Sequence, residues 1–112
     1  MMSRPRLEII GKAGEIPVGK MKRYICPFAD VLVANVEGVY YAVSNTCSHA
    51  GELLSNGMLI GNQVICAAHY AVFNLANGEV IRHPEGTTIA PLKTFKVKVE
   101  NSEILIELDN ES

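Results

Sequence analysis

The chain has no long apolar run and no excess of positive charge. Its formal net charge is -2, so it lacks the basic field that would hold a phosphate backbone, and we expect no nucleic-acid partner. No segment reaches the length of about 20 apolar residues that a membrane span needs. The first twelve residues, MMSRPRLEIIGK, also lack the apolar core of a secretory signal. We therefore expect a cytoplasmic protein with no membrane partner.

Cysteine is scarce, with three residues in a chain of 112. An odd number of cysteines and no export signal argue against a disulfide framework. They favour metal or redox chemistry in a reducing compartment. Cys26, in the stretch ICPF, is predicted to be a small buried apolar side chain, because free cysteine is commonly buried. The other two cysteines are the candidate metal ligands.

Helical patterning is also missing. No window shows a sustained apolar stripe at helical spacing, and glycines at positions 57, 61, 78 and 86 divide the middle of the chain. Short runs alternate with a period of two instead. The clearest is FKVKVE, in which Phe95, Val97 and Val99 should face a core. At this length the whole chain, 1–112, should form a single domain.

Turn residues between these runs predict three hairpins. Asn101 and Ser102 separate 95–100 from 104–108, Glu37 and Gly38 separate 30–36 from 39–43, and Asn77-Gly78 marks the third. Many short strands in about a hundred residues are typical of an antiparallel sandwich or barrel. The sequence therefore predicts an all-β fold, an antiparallel β-sandwich.

Four potential metal ligands lie in the least regular region, 45–73. Cys47 and His49 form a C-x-H segment, and Cys66 and His69 form a C-x-x-H segment sixteen residues further on. Zinc modules usually place their two cysteines in one knuckle, whereas here each segment supplies one sulfur and one imidazole. A [2Fe-2S] centre with both thiolates on one iron and both imidazoles on the other explains this order.

The spacer between the two segments should let them lie side by side. Gly57 and Gly61 allow the chain to turn and return. The apolar residues of the spacer that we expect to point inward are Leu53, Leu54, Met58 and Leu59.

With this ligand pattern the sequence resembles the Rieske [2Fe-2S] family, and is similar to the soluble ferredoxin components of bacterial ring-hydroxylating dioxygenase and related oxygenase systems. The stretches LSNGMLIG and APLKTFKVKVE agree, as does Phe73, four residues after the second ligand histidine. The resemblance covers roughly the last eighty residues well and the first thirty loosely. It implies a Rieske-like sandwich with a small, loop-rich cluster-binding subdomain at about 45–73. One Rieske [2Fe-2S] cluster would be held by Cys47, His49, Cys66 and His69.

The resemblance also implies a function. The protein would be a one-electron carrier with no catalytic residues of its own, reduced by a flavoprotein reductase and oxidised by a terminal oxygenase, and it would be a monomer. Alternatives are a Rieske-like small subunit of a nitrite reductase or other oxidoreductase complex, a redox or iron sensor, and a zinc-stabilised interaction module. An oxygenase would need a second iron site with two histidines and a carboxylate, and only His83 is left over.

Two departures from the family pattern bear on the reduction potential. Rieske subunits of membrane-bound respiratory complexes carry two further cysteines, at positions that here hold Glu52 and Ala68, so their disulfide cannot form. They also place a hydroxyl-bearing serine and tyrosine where this chain has Ala71 and Phe73. Fewer donors to the cluster sulfurs would destabilise its reduced form. We therefore expect a low potential.

Two other positions deserve a prediction. Many family members have proline after the second cysteine and glycine after the second histidine, where this chain has Ala67 and Tyr70. Tyr70 is predicted to pack against its own loop. His83 is predicted to lie in a solvated loop, and the segment 83–91, which contains prolines, is expected to cover one side of the cluster.

Overall fold

The computed structural model of the chain describes residues 6–48 and 51–108. In these ranges the backbone forms strands, loops and two single turns of 3₁₀-helix, Ala13–Glu15 and Leu54–Asn56, without an α-helix. The prediction of an all-β fold is confirmed. The strands are β1 (Arg6–Lys12), β2 (Lys20–Ile25), β3 (Asp30–Val36), β4 (Val39–Ser44), β5 (Met58–Ile60), β6 (Gln63–Ile65), β7 (Val72–Asn74), β8 (Val80–Arg82), β9 (Thr94–Glu100) and β10 (Glu103–Leu108).

The strands form two antiparallel sheets. The larger sheet has the order β1-β10-β9-β4-β3-β2, and the smaller has the order β5-β6-β7-β8. Strands β4 and β9 are paired only at Ala42 with Phe95 and Val43 with Thr94, although both strands continue beyond these pairs. The first predicted ligand segment follows β4, and the second connects β6 to β7. The fold therefore brings one segment from each sheet toward the other.

The three predicted hairpins are confirmed as β9–β10, β3–β4 and β7–β8. Glu37 (φ 52°) and Gly38 (φ 89°) are both left-handed, as a two-residue type I′ turn requires. In β9, Phe95 and Val97 are half-buried as predicted, but Val99 is 38% exposed, so that part of the prediction is wrong. The end of β9 runs past its last pair with β4, and Val99 therefore extends beyond the core.

The strand β3 is buried on both faces. Five consecutive residues, 31–35, are buried, and alternate side chains join two different hydrophobic cores. Val31 and Val33 pack with Ile104 and Ile106 of β10. Leu32 and Ala34 face the other way and pack with residues of the smaller sheet and of the ligand segments, including Val64, Phe73, Cys47 and Cys66. The predicted ligand cysteines are thus part of the core between the two sheets.

The spacer folds largely as expected. Leu54 is fully buried, and Leu53 and Leu59 are partly buried, but Met58 is 61% exposed and was wrongly placed inside. The reason is the alternation of β5, in which Leu59 points to the core and its neighbours point outward. Gly57 is required by close packing, because a Cβ there would overlap the carbonyl oxygen of Ile65.

In the described part of the chain, no helix has the length and apolar character needed to cross a membrane. The division that places a cluster-binding subdomain at about 45–73 stays a prediction. The smaller sheet itself extends to Arg82.

Candidate metal centre

A buried asparagine anchors the first ligand segment. Asn45 is completely buried two residues before Cys47. Its side-chain amide donates to Asp30 Oδ1 (3.2 Å) and Ser55 Oγ (3.1 Å), and its Oδ1 accepts the Ser55 N–H (2.8 Å). Its backbone N–H donates to Asp30 O and its carbonyl accepts the Leu54 N–H. Asn45 therefore fixes the end of β4 to the spacer and to the start of β3.

Asp30, which accepts a hydrogen bond from Asn45, also forms an ion pair with Arg23 near the protein surface. Arg23 donates to both carboxylate oxygens of Asp30, at distances from 2.7 to 3.1 Å. The hydrogen bonds from Arg23 are the largest cause of a lowered pKa at Asp30, and the bond from Asn45 acts in the same direction. Asp30 is therefore held as the carboxylate that Asn45 needs as an acceptor.

The backbone of the first ligand segment turns back on itself directly after Cys47. The Cys47 N–H donates to Glu52 O (2.7 Å), and Cys47 O accepts the Gly51 N–H (3.1 Å). Gly51 has φ 68°, which glycine adopts without steric cost. The side chain of Cys47 is 1% exposed. Of the four predicted ligands, His49 lies outside the described residues.

The second ligand segment is a short loop between β6 and β7. The Cys66 N–H donates to Ala71 O (2.8 Å), which closes the loop at its base. His69 (φ 63°) and Tyr70 (φ 59°) are both left-handed and both exposed. Two consecutive left-handed residues turn the chain sharply, so that Cys66 points into the core while His69 stays at the surface.

The two described cysteines lie side by side in the core. Burial is the largest cause that raises the pKa of the Cys66 thiol, to about 11, and a hydrogen-bonding contact with the Cys47 sulfur acts in the same direction. A backbone hydrogen bond from Ala68 opposes this shift. Two adjacent buried thiols would become thiolates readily only beside a strong positive charge, such as a metal ion supplies. The donor set therefore fits a metal cluster.

His69 does not join the cysteines around a single point. Among residues 6–48 and 51–108, no three His, Cys, Asp or Glu side chains converge as they would around one metal ion. A single tetrahedral zinc site built from Cys47, Cys66 and His69 would require such convergence. In a two-iron centre the thiolates and imidazoles bind different irons, and an arrangement of buried sulfurs and a more peripheral histidine is compatible with that division.

A third segment contacts the site. Ser48 Oγ donates to Ala90 O (2.6 Å), which ties the first ligand segment to the segment 83–91. His83 is exposed as predicted, and its Nδ1 accepts the Ile89 N–H (3.1 Å). The imidazole thus closes this segment on itself while Ile89 is buried in the core between the sheets. These contacts place the segment beside the first ligand segment, and that it covers one side of the cluster stays a prediction.

The other residues for which the sequence predicts a role differ in how well their positions agree with it. Ala71 and Phe73, which replace hydroxyl-bearing residues, are fully buried. Tyr70 is 68% exposed, so the prediction that it packs against its loop is wrong. Its left-handed backbone turns it away from the core. Cys26 is only partly buried, with its sulfur 3.7 Å from Tyr24 O, and packs against the other core.

Comparisons with known proteins agree with this geometry. Residues 7–96 match the family described as the Rieske [2Fe-2S] domain. The chain is 36% identical over 100 residues to the ferredoxin component of biphenyl 2,3-dioxygenase from Rhodococcus jostii (strain RHA1), covering 89% of this chain and 91% of that protein. It is 38% identical over 97 residues to the cytochrome b6-f complex iron-sulfur subunit of Chlorobaculum thiosulfatiphilum, but that match covers 87% of this chain and only 51% of the subunit.

The fold also matches that of a solved structure along nearly the whole chain. The structure titled as the complex of reduced oxygenase and oxidised ferredoxin in carbazole 1,9a-dioxygenase contains a chain that superposes with a TM-score of 0.82. The sequence identity is 26%, and the match covers 95% of this chain and 97% of that chain.

Proposed function

The chain belongs to the Rieske [2Fe-2S] domain family, and from this membership we propose that it is the ferredoxin component of a dioxygenase system, carrying electrons to a terminal oxygenase. The relative from Rhodococcus is such a component, and it matches this chain along nearly its whole length. The similar carbazole dioxygenase structure contains a ferredoxin together with its oxygenase. The protein is a carrier of electrons and not an enzyme.

One [2Fe-2S] cluster belongs to this domain, and we assign its ligands to Cys47, His49, Cys66 and His69. The cluster, when bound, supplies one-electron redox chemistry. The observation that carries the assignment is the contact between the buried Cys47 and Cys66 thiols, which come from two separate segments. Each of these segments also contains one of the two histidines.

The chain holds these segments firmly. Asn45 fixes the entry to the first, the Cys66–Ala71 backbone bond closes the second, and Ser48 binds the segment 83–91. Fixed ligands limit the rearrangement that accompanies a change of charge, and buried sulfurs keep water away from the cluster. Among the described ligands, His69 lies at the surface, where a partner protein can reach it.

Electron paramagnetic resonance of the dithionite-reduced protein tests the assignment. We expect the spectrum of a [2Fe-2S] centre with mixed histidine and cysteine ligation, from a protein that is red-brown as isolated. A colourless, folded protein that contains zinc would contradict the proposal, as would the spectrum of a cluster with four cysteine ligands.

The reduction potential is expected to be low. Ala71 and Phe73 offer no hydroxyl groups to the cluster sulfurs, and donors at the sulfurs stabilise the reduced form. We expect a midpoint near the bottom of the Rieske range, about -150 mV rather than +300 mV. Redox titration of the visible spectrum measures this value. A midpoint above about +100 mV would contradict the argument from missing donors.

A role like that of the cytochrome b6-f complex iron-sulfur subunit is a weaker candidate, although that relative is 38% identical. The chain spans about half of that relative and has Glu52 and Ala68 at the positions of the second cysteine pair. A nitrite reductase subunit and a zinc-stabilised module have no observation in their favour. The flavoprotein reductase as electron donor, the monomeric state and the cytoplasmic location remain predictions.

A further inference from the structure

Tyr70 combines two properties that its own fold does not explain. Its φ of 59° lies in the left-handed region, which a bulky residue adopts only at a cost in energy. Its side chain is 68% exposed, so little burial offsets that cost. Many members of the family have glycine at this position, and glycine takes up a left-handed conformation freely. Unfavourable backbone conformations of this kind are often kept where they serve a function.

An apolar surface begins next to Tyr70. The register of the smaller sheet places Met58, Ile65 and Val72 in one row across β5, β6 and β7, and the exposed Arg82 of β8 completes that row. The adjacent row, which includes Val64 and Phe73, is packed in the core, so this row faces outward. The exposed face of an antiparallel sheet is normally polar.

Other exposed apolar residues extend this surface. Met58, Ile60 and Ile81 are 61%, 53% and 47% exposed. We use the name outer face for the following five residues: Met58, Ile60, Ile65, Val72 and Ile81. The outer face ends at the loop that carries Cys66 and His69, because Ile65 and Val72 flank that loop directly. Apolar surface of this kind beside a functional group is typical of a protein interaction site.

We propose that Tyr70, with the adjoining outer face, is the contact by which the chain binds its terminal oxygenase. This inference rests on the proposed function. Tyrosine is among the residues that contribute most to binding at protein interfaces, because it buries a large apolar area and loses little side-chain entropy. Tyr70 directly follows the surface ligand His69, so contact at Tyr70 would bring the partner to the site of electron transfer.

Calorimetry with the oxidised protein tests this contact. The probes are the terminal oxygenases of the biphenyl 2,3-dioxygenase system of Rhodococcus jostii and of carbazole 1,9a-dioxygenase. Tyr70→Gly should weaken binding at least about tenfold, which is the effect of losing one strong interface residue. Tyr70→Phe should retain most of the affinity, and Met58→Ser should lose part of it. The matched control is Val39→Ser. Val39 is also an exposed apolar residue, but it lies at the start of β4, and the first ligand segment follows the other end of that strand.

Thermal unfolding separates a binding role from a structural one. Glycine accepts the left-handed conformation, so Tyr70→Gly should unfold at the same temperature as the wild type or higher, while its affinity falls. A lower unfolding temperature would show that Tyr70 supports the loop and would overturn the inference.

The other outcomes are also distinct. If the wild type binds an oxygenase and Tyr70→Gly binds it equally well, the inference fails and the proposed function stands. If Val39→Ser loses as much affinity as Tyr70→Gly, the inference fails as well. If Tyr70→Gly loses only its reduction by the reductase of the biphenyl system, the contact belongs to the electron donor and the assignment to the oxygenase is wrong. If the wild type binds neither oxygenase, the inference fails, while the proposed function is decided separately by the electron paramagnetic resonance of the reduced protein.

Discussion

Replacing Cys66 with serine is expected to abolish cluster binding. Serine is nearly isosteric with cysteine, but its hydroxyl is a much poorer ligand for iron than a thiolate. Cys66 is completely buried beside Cys47, so no water or second cysteine among the described residues can take its place. The purified Cys66→Ser protein should be colourless and should contain no iron. Visible absorbance and iron analysis measure the result, with circular dichroism to confirm the strand content.

The chain offers a matched control in Cys26→Ser. Cys26 is partly buried, makes a weak contact with Tyr24 O and belongs to the other core. Its replacement should leave the colour and the iron content unchanged. A coloured Cys66→Ser protein would show that the ligand assignment is wrong. Loss of colour in Cys26→Ser alone would move the assignment to a residue that we place outside the site.

Replacing Asn45 with alanine is expected both to destabilise the fold and to release the cluster faster. The change leaves the partly buried Ser55 N–H without its partner and removes the donors to Asp30 and Ser55. Each buried polar group that loses its partner costs about 1 to 3 kcal/mol, so we expect a loss of roughly 3 kcal/mol in the free energy of unfolding. Urea denaturation measures this loss. The rate of iron transfer to a chelator measures cluster release.

Asn35 provides the control that separates the two effects. Among the described residues it is the other buried asparagine, 5% exposed, and it donates to Ile16 O and accepts the Gly38 N–H, each at 2.9 Å. These contacts lie at the β3–β4 turn, at the opposite end of β4 from the ligand segment. Asn35→Ala should reduce stability to a similar degree but leave iron release unchanged under conditions where both variants remain folded. Equal acceleration of iron release in both variants would mean that Asn45 acts only through global stability.

The strands and hairpins could be predicted from the sequence because their signals are local. An alternation of apolar and polar residues and a pair of turn residues, such as Glu37-Gly38, are determined within a few positions of each other. Exposure at strand ends is not local. Met58 is exposed because of the face that β5 presents, and Val99 is exposed because β9 extends past its partner β4. These features depend on pairings that no single segment specifies.

The candidate site divides in the same way. The ligand set was evident because cysteine and histidine are rare here and their spacing is distinctive. The residues that hold the ligand segments were not predicted, because their partners are distant in the sequence. Asn45 binds Asp30 and Ser55, and Ser48 binds Ala90, 42 positions away. The position of Tyr70 was not predicted because left-handed backbone at a tyrosine is rare, and the glycine that many family members have there was the available sign of it.

The larger sheet has a weakly paired junction between β4 and β9, which we call the seam. Two residue pairs, with one further bond from the Ser44 N–H to Lys93 O, join the terminal strands β1, β10 and β9 to the central hairpin. The same stretch of chain, just before β9, carries Ala90, which holds Ser48. If β4 and β9 separate at the seam, the contact between Ala90 and Ser48 is therefore disturbed as well. The lifetime of the bound cluster would then depend on how firmly the C-terminal strands stay paired with β4.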